Sequence, residues 1–339
     1  MRLAIDVMGG DQGPRAIIEG SARAVVERPD LALTLFGPRQ QIDAELSRLP
    51  QPLAAATSRL VAADAPESVS QAATAAWAMR RGGSTSMACM LRSLSSGEAV
   101  AGVSAGNTGA LVALARRELG MLPGISRPAI STAIPARGGR RCYLLDLGAN
   151  VDSPASRLFD FAMMGAAMAQ CMDRIRRPRV ALLNVGSEAT KGSANVREAD
   201  RLLRESASDL SFDYLGYAEG GDIFQGDLDV VVCDGFVGNV TLKASEGLTR
   251  MLVERVQMAF ESRLSGRLAS ILARPVLKRL KRELDPVRYN GASLLGLQGI
   301  VVKSHGSTQA DGFYYAIQRA LQEVEHDLPV RIAARWSCS

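Results

Sequence analysis

The sequence predicts a three-layer α/β/α fold built on a mostly parallel sheet. Short, continuously apolar runs such as VALLNV at 180–185 alternate with longer stretches of helical periodicity. Strands of that kind are buried on both faces, so helices must cover both sides of the sheet. Nearly every run also ends in a small, polar, glycine-containing loop, the type of connection that binds ligands at the carboxyl ends of parallel strands.

LAIDV at 3–7 opens the sheet, and Pro14 at a first-turn position starts a helix that runs to Glu27. LALTLF at 31–36 is the second strand and stops at Gly37-Pro38. Further strands are expected at 100–105, 129–134, 143–147, 180–185, 212–217, 229–234 and 299–304. Helices are expected over 155–174, 195–208 and 241–263. There is no internal repeat and no long polar linker, so residues 1–339 read as a single domain carrying one unusual segment, 250–290.

Composition narrows the function classes. The chain has 339 residues, 47% apolar and 22% charged, which excludes a disordered or fibrous protein. No apolar run approaches the ~18 residues of a membrane span, and MRLAIDVMGG lacks the apolar core of a signal peptide. Five scattered cysteines without a C-x-x-C indicate neither a disulfide framework nor a zinc site, so a reduced, cytoplasmic protein is expected. With only His305 and His326 present, a histidine metal cluster is not expected either. G-x-G-x-x-G and G-x-S-x-G do not occur, and GSEATKGS at 186–193 lacks the Gly-Lys-[Ser/Thr] of a P-loop.

The net charge of +5 is concentrated. Residues 250–290 hold ten basic and four acidic side chains, which leaves the remainder near neutrality. That pattern argues against a nucleic-acid coat and for one local anionic partner. Leu264, Leu268, Ile271 and Leu272 recur at helical spacing, with Arg267, Arg274, Lys278 and Arg279 on the other face. Pro275 divides the run, so a protruding amphipathic helical hairpin is expected, touching membrane or an acidic protein. An ordinary surface hairpin that packs its leucines on the core is the alternative.

Six strand-end loops carry the polar residues that could do chemistry. They hold Asp6, Gly9 and Gly10; Asn107, Thr108 and Gly109; Asn150; Gly186, Ser187, Glu188 and Lys191; Asp234, Asn239 and Lys243; and Lys303 with His305. In one parallel sheet all six would lie at a single end, where glycines let backbone N–H groups approach an oxyanion. Lysine is scarce, five against thirty-five arginines, yet three of the five stand in or beside these loops.

The motifs IDVMGGDQGP (5–14), VSAGNTGALVA (103–113), LLDLGANVD (144–152), ALLNVGSEATKGS (181–193), DVVVCDGFVGNVTLKASEG (229–247) and YNGASLLGLQGIVVKSHGS (289–307) resemble the PlsX-type phosphate acyltransferases, in family order. Gly82-Gly83 and Gly221 depart from the charged residues expected at those places. The resemblance implies an isocitrate/isopropylmalate-dehydrogenase-like architecture and transfer of an acyl group from acyl-acyl carrier protein to inorganic phosphate. It also implies a homodimer, peripheral membrane contact, and a downstream glycerol-3-phosphate acyltransferase on the route to phosphatidic acid. Thiolate is a good leaving group, so positioning and oxyanion stabilisation should dominate and no cofactor or metal is expected. Lys191 is the leading catalytic candidate, as a charge stabiliser or a transiently acylated amine, with His305 and Asp234 as further catalytic candidates. The remaining loop residues would hold phosphate or the thioester oxygen. A phosphate acetyltransferase-like enzyme using acyl-CoA and a membrane-recruiting scaffold are the rival readings.

Overall fold

The computed structural model describes residues 1–261 and 286–336. Among the described residues eleven strands form one sheet: β1 (Arg2–Asp6), β2 (Ala32–Gly37), β3 (Leu60–Asp64), β4 (Ala101–Ser104), β5 (Ala129–Pro135), β6 (Arg141–Leu145), β7 (Arg179–Leu183), β8 (Asp213–Ala218), β9 (Val230–Val232), β10 (Ala292–Leu295) and β11 (Ile300–Lys303). Their order is β3-β2-β1-β4-β11-β10-β5-β6-β9-β7-β8.

Alternation along each strand creates the two faces. On β1, Leu3 and Ile5 enter one core while Ala4 enters another; on β9, Val230 and Val232 oppose Val231 in the same way. One face is covered by α1 (Gly13–Glu27) and α9 (Ala310–Glu325), which bring Ile17, Ile18, Phe313 and Ile317 against Leu3 and Ile5. It continues under α6 (Ala155–Asp173), whose Leu158, Phe161 and Met164 pack with Leu182 and Val230. The opposite face carries α3 (Ala75–Arg81), α4 (Ser86–Ser95) and α5 (Thr108–Leu119), contributing Ala78, Met90, Leu91, Leu111 and Leu114. The three layers expected from the sequence are present.

The sheet is mostly parallel, as expected, but β10 pairs antiparallel with both β11 and β5, and β5 pairs antiparallel with β6. The chain direction therefore reverses between the two halves. β1, β4 and β11 run one way, and β6, β9 and β7 run the other. The six polar loops consequently form two groups of three at opposite ends of the strands, not one ring. β3 and β10, short runs of LVAAD and ASLL, are strands that the sequence pattern did not single out.

The expected helices at 155–174 and 195–208 correspond to α6 and α7 (Ala194–Glu205). The third is longer: α8 runs Gly235–Glu261, beginning directly at the end of β9. Leu264, Arg267, Leu268, Ile271, Leu272, Arg274, Lys278 and Arg279, the tip of the expected hairpin, lie outside the described residues. Among the described residues no helix is long and apolar enough to cross a membrane.

Candidate active site

The first loop group is organised by Asp6, the last residue of β1. Its buried carboxylate accepts from Ser104 Oγ (2.6 Å), Ser86 Oγ (2.7 Å) and the Met8 N–H (3.3 Å). Ser104 Oγ in turn accepts from the Gly106 N–H at 3.0 Å. The loops after β1 and β4 are thereby drawn so close that a Cβ on Gly9 would overlap the Gly106 backbone. The last loop joins them, because the Asp11 N–H donates to the Gly306 carbonyl at 2.7 Å. Burial raises the Asp6 pKa, against the pull of its hydroxyl and amide donors. Asn107 caps α5: its Oδ1 accepts from the Ala110 N–H, and its Nδ2 donates to the carbonyls of Gln71 and Ala73. Thr108 and Gly109 begin that helix.

The second group is organised by Asp146, directly after β6 and fully buried. Its Oδ1 accepts from the N–H groups of Ile130 (2.8 Å), Leu147 (2.7 Å) and Ala149 (3.2 Å). Its Oδ2 accepts from the Asn150 N–H (2.7 Å) and Asn150 Nδ2 (3.0 Å). Asn150 Nδ2 also donates to the Pro128 carbonyl, so this side chain ties down its own loop. Burial raises the Asp146 pKa, and these donors oppose that shift. Asp146 is not among the candidates expected from the sequence; its parallel with Asp6 in LAIDVMGG, a strand-end carboxylate before glycine, is the sequence signal for it.

α8 connects the two groups. Asp234 caps it by accepting from the N–H groups of Phe236 (2.9 Å) and Val237 (3.0 Å). The Gly235 N–H donates to the Asn150 carbonyl at 2.7 Å. A Cβ on Gly238 would overlap the Asp146 carbonyl oxygen, and Asn239 lies beside Gly148. Eight residues after Gly235, about 12 Å along the helix axis, Lys243 Nζ lies 2.9 Å from His305 Nε2 in the first group.

Three nitrogens gather there. The Lys303 ammonium donates to the Ser304 carbonyl and, at 3.3 Å, to the Ala105 carbonyl. Burial, then the nearby Lys243 charge, push the Lys303 pKa down to about 8, with Asp11 and Asp6 acting in the other direction. Burial and Lys243 also lower the His305 pKa, which favours a neutral imidazole. His305 Nε2 lies 2.9 Å from Lys243 Nζ, while its Nδ1 accepts from the Ser307 N–H at 3.2 Å and lies 2.9 Å from Ser307 Oγ. Glu246 pairs with Lys243 at 2.9 Å. Two lysines and a neutral histidine within reach of glycine-rich backbone suit an oxyanion.

Lys191 belongs to a loop that is held mainly by itself. Asn184 Nδ2 donates to the carbonyls of Gly186 and Lys191, and Lys191 Nζ pairs with Glu188 at 2.6 Å. Lys191 is 48% and Glu188 57% exposed, and Ser187 is exposed beside them. β7 lies next to β9, which places this loop in the second group, with β9 between it and the β6 strand that carries the Asn150 loop. The structure thus unites Asp6, Gly9, Gly10, Asn107, Lys303 and His305 at one end and Asn150, Asp234 and Asn239 at the other. Lys243 bridges the two.

A family model described as fatty acid synthesis protein matches residues 1–331. A phosphate acyltransferase of Stutzerimonas stutzeri is 50% identical over 333 residues, covering 98% of this chain and 91% of that protein. A phosphate acyltransferase of Pseudomonas syringae pv. tomato is 49% identical, with 98% and 96% covered. The chain belongs to the phosphate acyltransferase family. It is an acyltransferase of fatty acid synthesis. Its fold is similar to that of a phosphotransacetylase from Streptococcus pyogenes, with a TM-score of 0.62 at 17% identity over 96% of this chain and 94% of the other. A branched-chain phosphotransacylase from Enterococcus faecalis gives 0.59 at 13% identity, covering 96% and 99%. A Salmonella typhimurium structure assigned as a 4-hydroxythreonine-4-phosphate dehydrogenase gives 0.54 at 13% identity, covering 95% and 99%. The expected dehydrogenase-like architecture holds.

Proposed function

We propose that this enzyme transfers a fatty acyl group from acyl-acyl carrier protein to inorganic phosphate, releasing acyl phosphate and the free carrier thiol. The observation that carries the reading is the Lys243–His305–Lys303 cluster, a cationic group beside glycine-containing loops and the N-terminal half of α8. A phosphate oxygen attacks the thioester carbonyl carbon. A tetrahedral oxyanion forms, the C–S bond breaks, and the thiolate leaves with the electron pair. Lys243 and Lys303 neutralise the bound phosphate, and the backbone N–H groups of the glycine loops orient it. Lys191, held by Glu188 on the flank of the second group, supplies positive charge to the developing oxyanion. The fold needs no metal for this chemistry, because the leaving group requires no protonation.

The distal half of α8 supports two further proposals. Leu248, Met251, Leu252 and Met258 are each at least 45% exposed, an apolar surface leading into the 250–290 segment. We assign it to a homodimer interface and to the base of a membrane-touching hairpin, whose arginines add affinity for anionic lipid. A glycerol-3-phosphate acyltransferase would consume the acyl phosphate. The deciding experiment incubates purified enzyme with long-chain acyl-carrier protein and phosphate and traps acyl phosphate with hydroxylamine. Phosphate-dependent hydroxamate and free carrier thiol in equal amounts are expected, with acyl-CoA a poorer donor. No product from carrier thioester, or equal use of acyl-CoA, refutes the donor assignment. Leu268→Glu with Leu272→Glu should abolish liposome binding while sparing turnover of soluble acyl carrier; unchanged binding refutes the membrane assignment.

A further inference from the structure

Among the described residues, three arginines that form no ion pair lie near one another at the end of the sheet that carries Asn150. Arg116 lies in the last turn of α5. Arg127 immediately precedes Pro128, the residue whose carbonyl accepts from Asn150 Nδ2. Arg157 lies in the first turn of α6 and donates to the Asp152 carbonyl at 3.1 Å, two residues beyond Asn150. The Nε groups of Arg116 and Arg157 are buried and have no hydrogen-bond partner. Among the described residues none of the three forms an ion pair, whereas Arg179 is paired with Asp229 and Arg141 with Asp173.

The electrostatics agree with the geometry. Burial depresses the Arg116 pKa, and the charges of Arg127 and Arg157 depress it further. The acid on the same face of α6 is Asp160, one turn after Arg157; burial raises its pKa to about 6 although Arg157 pulls it down. Like charges held together with buried, unpaired N–H donors destabilise the native state unless an anion joins them. Converging guanidinium forks match the tetrahedral oxygens of a phosphoryl group better than a single carboxylate plane.

We propose that Arg116, Arg127 and Arg157 form a binding site for a phosphoryl group carried by a substrate. The site adjoins the Asn150 loop and lies about 13 Å along α5 from Asn107 in the first loop group. Two substrates of the acyl-transfer reading, on which this assignment rests, carry such a group: inorganic phosphate itself, and the phosphodiester at the base of the carrier's pantetheine arm.

Binding separates the sources. Isothermal titration of the full-length enzyme with inorganic phosphate and with 4′-phosphopantetheine is compared with Arg116→Gln, Arg127→Gln and Arg157→Gln. At least one probe should bind each variant about tenfold or more weakly, the loss expected for a charge-assisted contact. Weakening for phosphate alone assigns the site to the acceptor; weakening for phosphopantetheine alone assigns it to the arm. Arg116→Gln should melt at or above the wild-type temperature, because an unpaired charge beside two like charges is removed. Arg127 is exposed, so its variant reports on binding even if another fails to fold. Wild-type enzyme that binds neither probe, or an Arg127→Gln variant that binds both as wild type does, overturns the proposal. These readouts need no turnover, so they stand or fall separately from the acyl-transfer assay.

Discussion

Replacing Asp146 by Ala removes the acceptor of five hydrogen bonds at once. Four of the donors are backbone N–H groups, from Ile130, Leu147, Ala149 and Asn150, and the fifth is Asn150 Nδ2. A buried donor left unsatisfied costs about 1–3 kcal/mol. Water entering the space left by the carboxylate would satisfy some of the five, and removal of a buried charge offsets part of the loss. A net destabilisation of about 4 kcal/mol is therefore expected, a large share of the roughly 5–15 kcal/mol that holds a domain folded. Asp146→Asn keeps the volume and one carbonyl oxygen and avoids burying a charge, so it should cost roughly half as much. Its amide would nevertheless oppose the Asn150 N–H, displacing the Gly148–Asn150 loop and the start of α8. Urea denaturation measures the stability, and hydroxamate formation measures the consequence for activity. Both variants should lose activity, with Ala the less stable of the two. A urea midpoint for Asp146→Ala within about 1 kcal/mol of wild type, together with normal turnover, would refute the view that this carboxylate organises the second loop group.

Three further outcomes are expected. Lys191→Ala should lower turnover about 10²-fold without unfolding, and Lys191→Arg should retain part of it if the residue supplies charge, since Arg does not deprotonate to a nucleophile; near-wild-type Ala kinetics would remove Lys191 from the mechanism. With Lys303 at about 8, the charged form that holds phosphate is present below that pH, so kcat/KM for phosphate should fall as pH rises through 8. The stability effect has the opposite sign: the depressed pKa costs the native state about 3 kcal/mol below pH 8, relieved as pH rises towards 10.5, so Lys303→Met should be more stable at pH 7 while losing the alkaline limb. Gly238→Ala places a methyl group on the Asp146 carbonyl oxygen and should lower the melting temperature and abolish activity; a normally active variant would show that α8 can shift without consequence.

The layers and most strands were legible because buried parallel strands write themselves as apolar runs, as VALLNV and DVVVCD do. The reversal of direction was not. It depends on β10, four residues of ASLL, and on β5, whose AISTAI reads like any other buried strand. Periodicity reports burial, not polarity of the neighbouring strand, so six loops looked like one ring. The polar loops were found by their glycines, but the roles of their side chains depend on partners distant in sequence. Asn107 and Asn150 looked like ligands because amides in glycine loops often are. Ala73, Gln71, Pro128 and Asp146 take up their N–H groups instead. Arg116, Arg127 and Arg157 carried no motif, and only the meeting of α5, α6 and the loop between α5 and β5 sets them together.

That division of labour gives a sharp contrast between two amides. Asn150 spends its Nδ2 on the Pro128 carbonyl and Asp146 Oδ2. Asn239 is exposed on α8 beside Gly148, next to the Gly238 that abuts the Asp146 carbonyl and one turn before Lys243. Asn150→Ala should therefore act through the scaffold, losing about 1–3 kcal/mol of stability with activity falling in step as the loop loosens. Asn239→Ala should leave the melting temperature within the small range of a surface substitution, about 0.5 kcal/mol, while kcat/KM drops because a group facing the ligand has gone. The same logic separates Asp234, an α8 cap whose loss costs roughly 1 kcal/mol, from Lys243, whose loss should raise the Michaelis constant for phosphate. Should Asn239→Ala prove destabilising and Asn150→Ala purely kinetic, the assignment of scaffold and ligand contacts across the start of α8 would have to be exchanged. The phosphate would then be placed over the Asn150 loop, next to the three arginines, and not along the helix that joins the two halves.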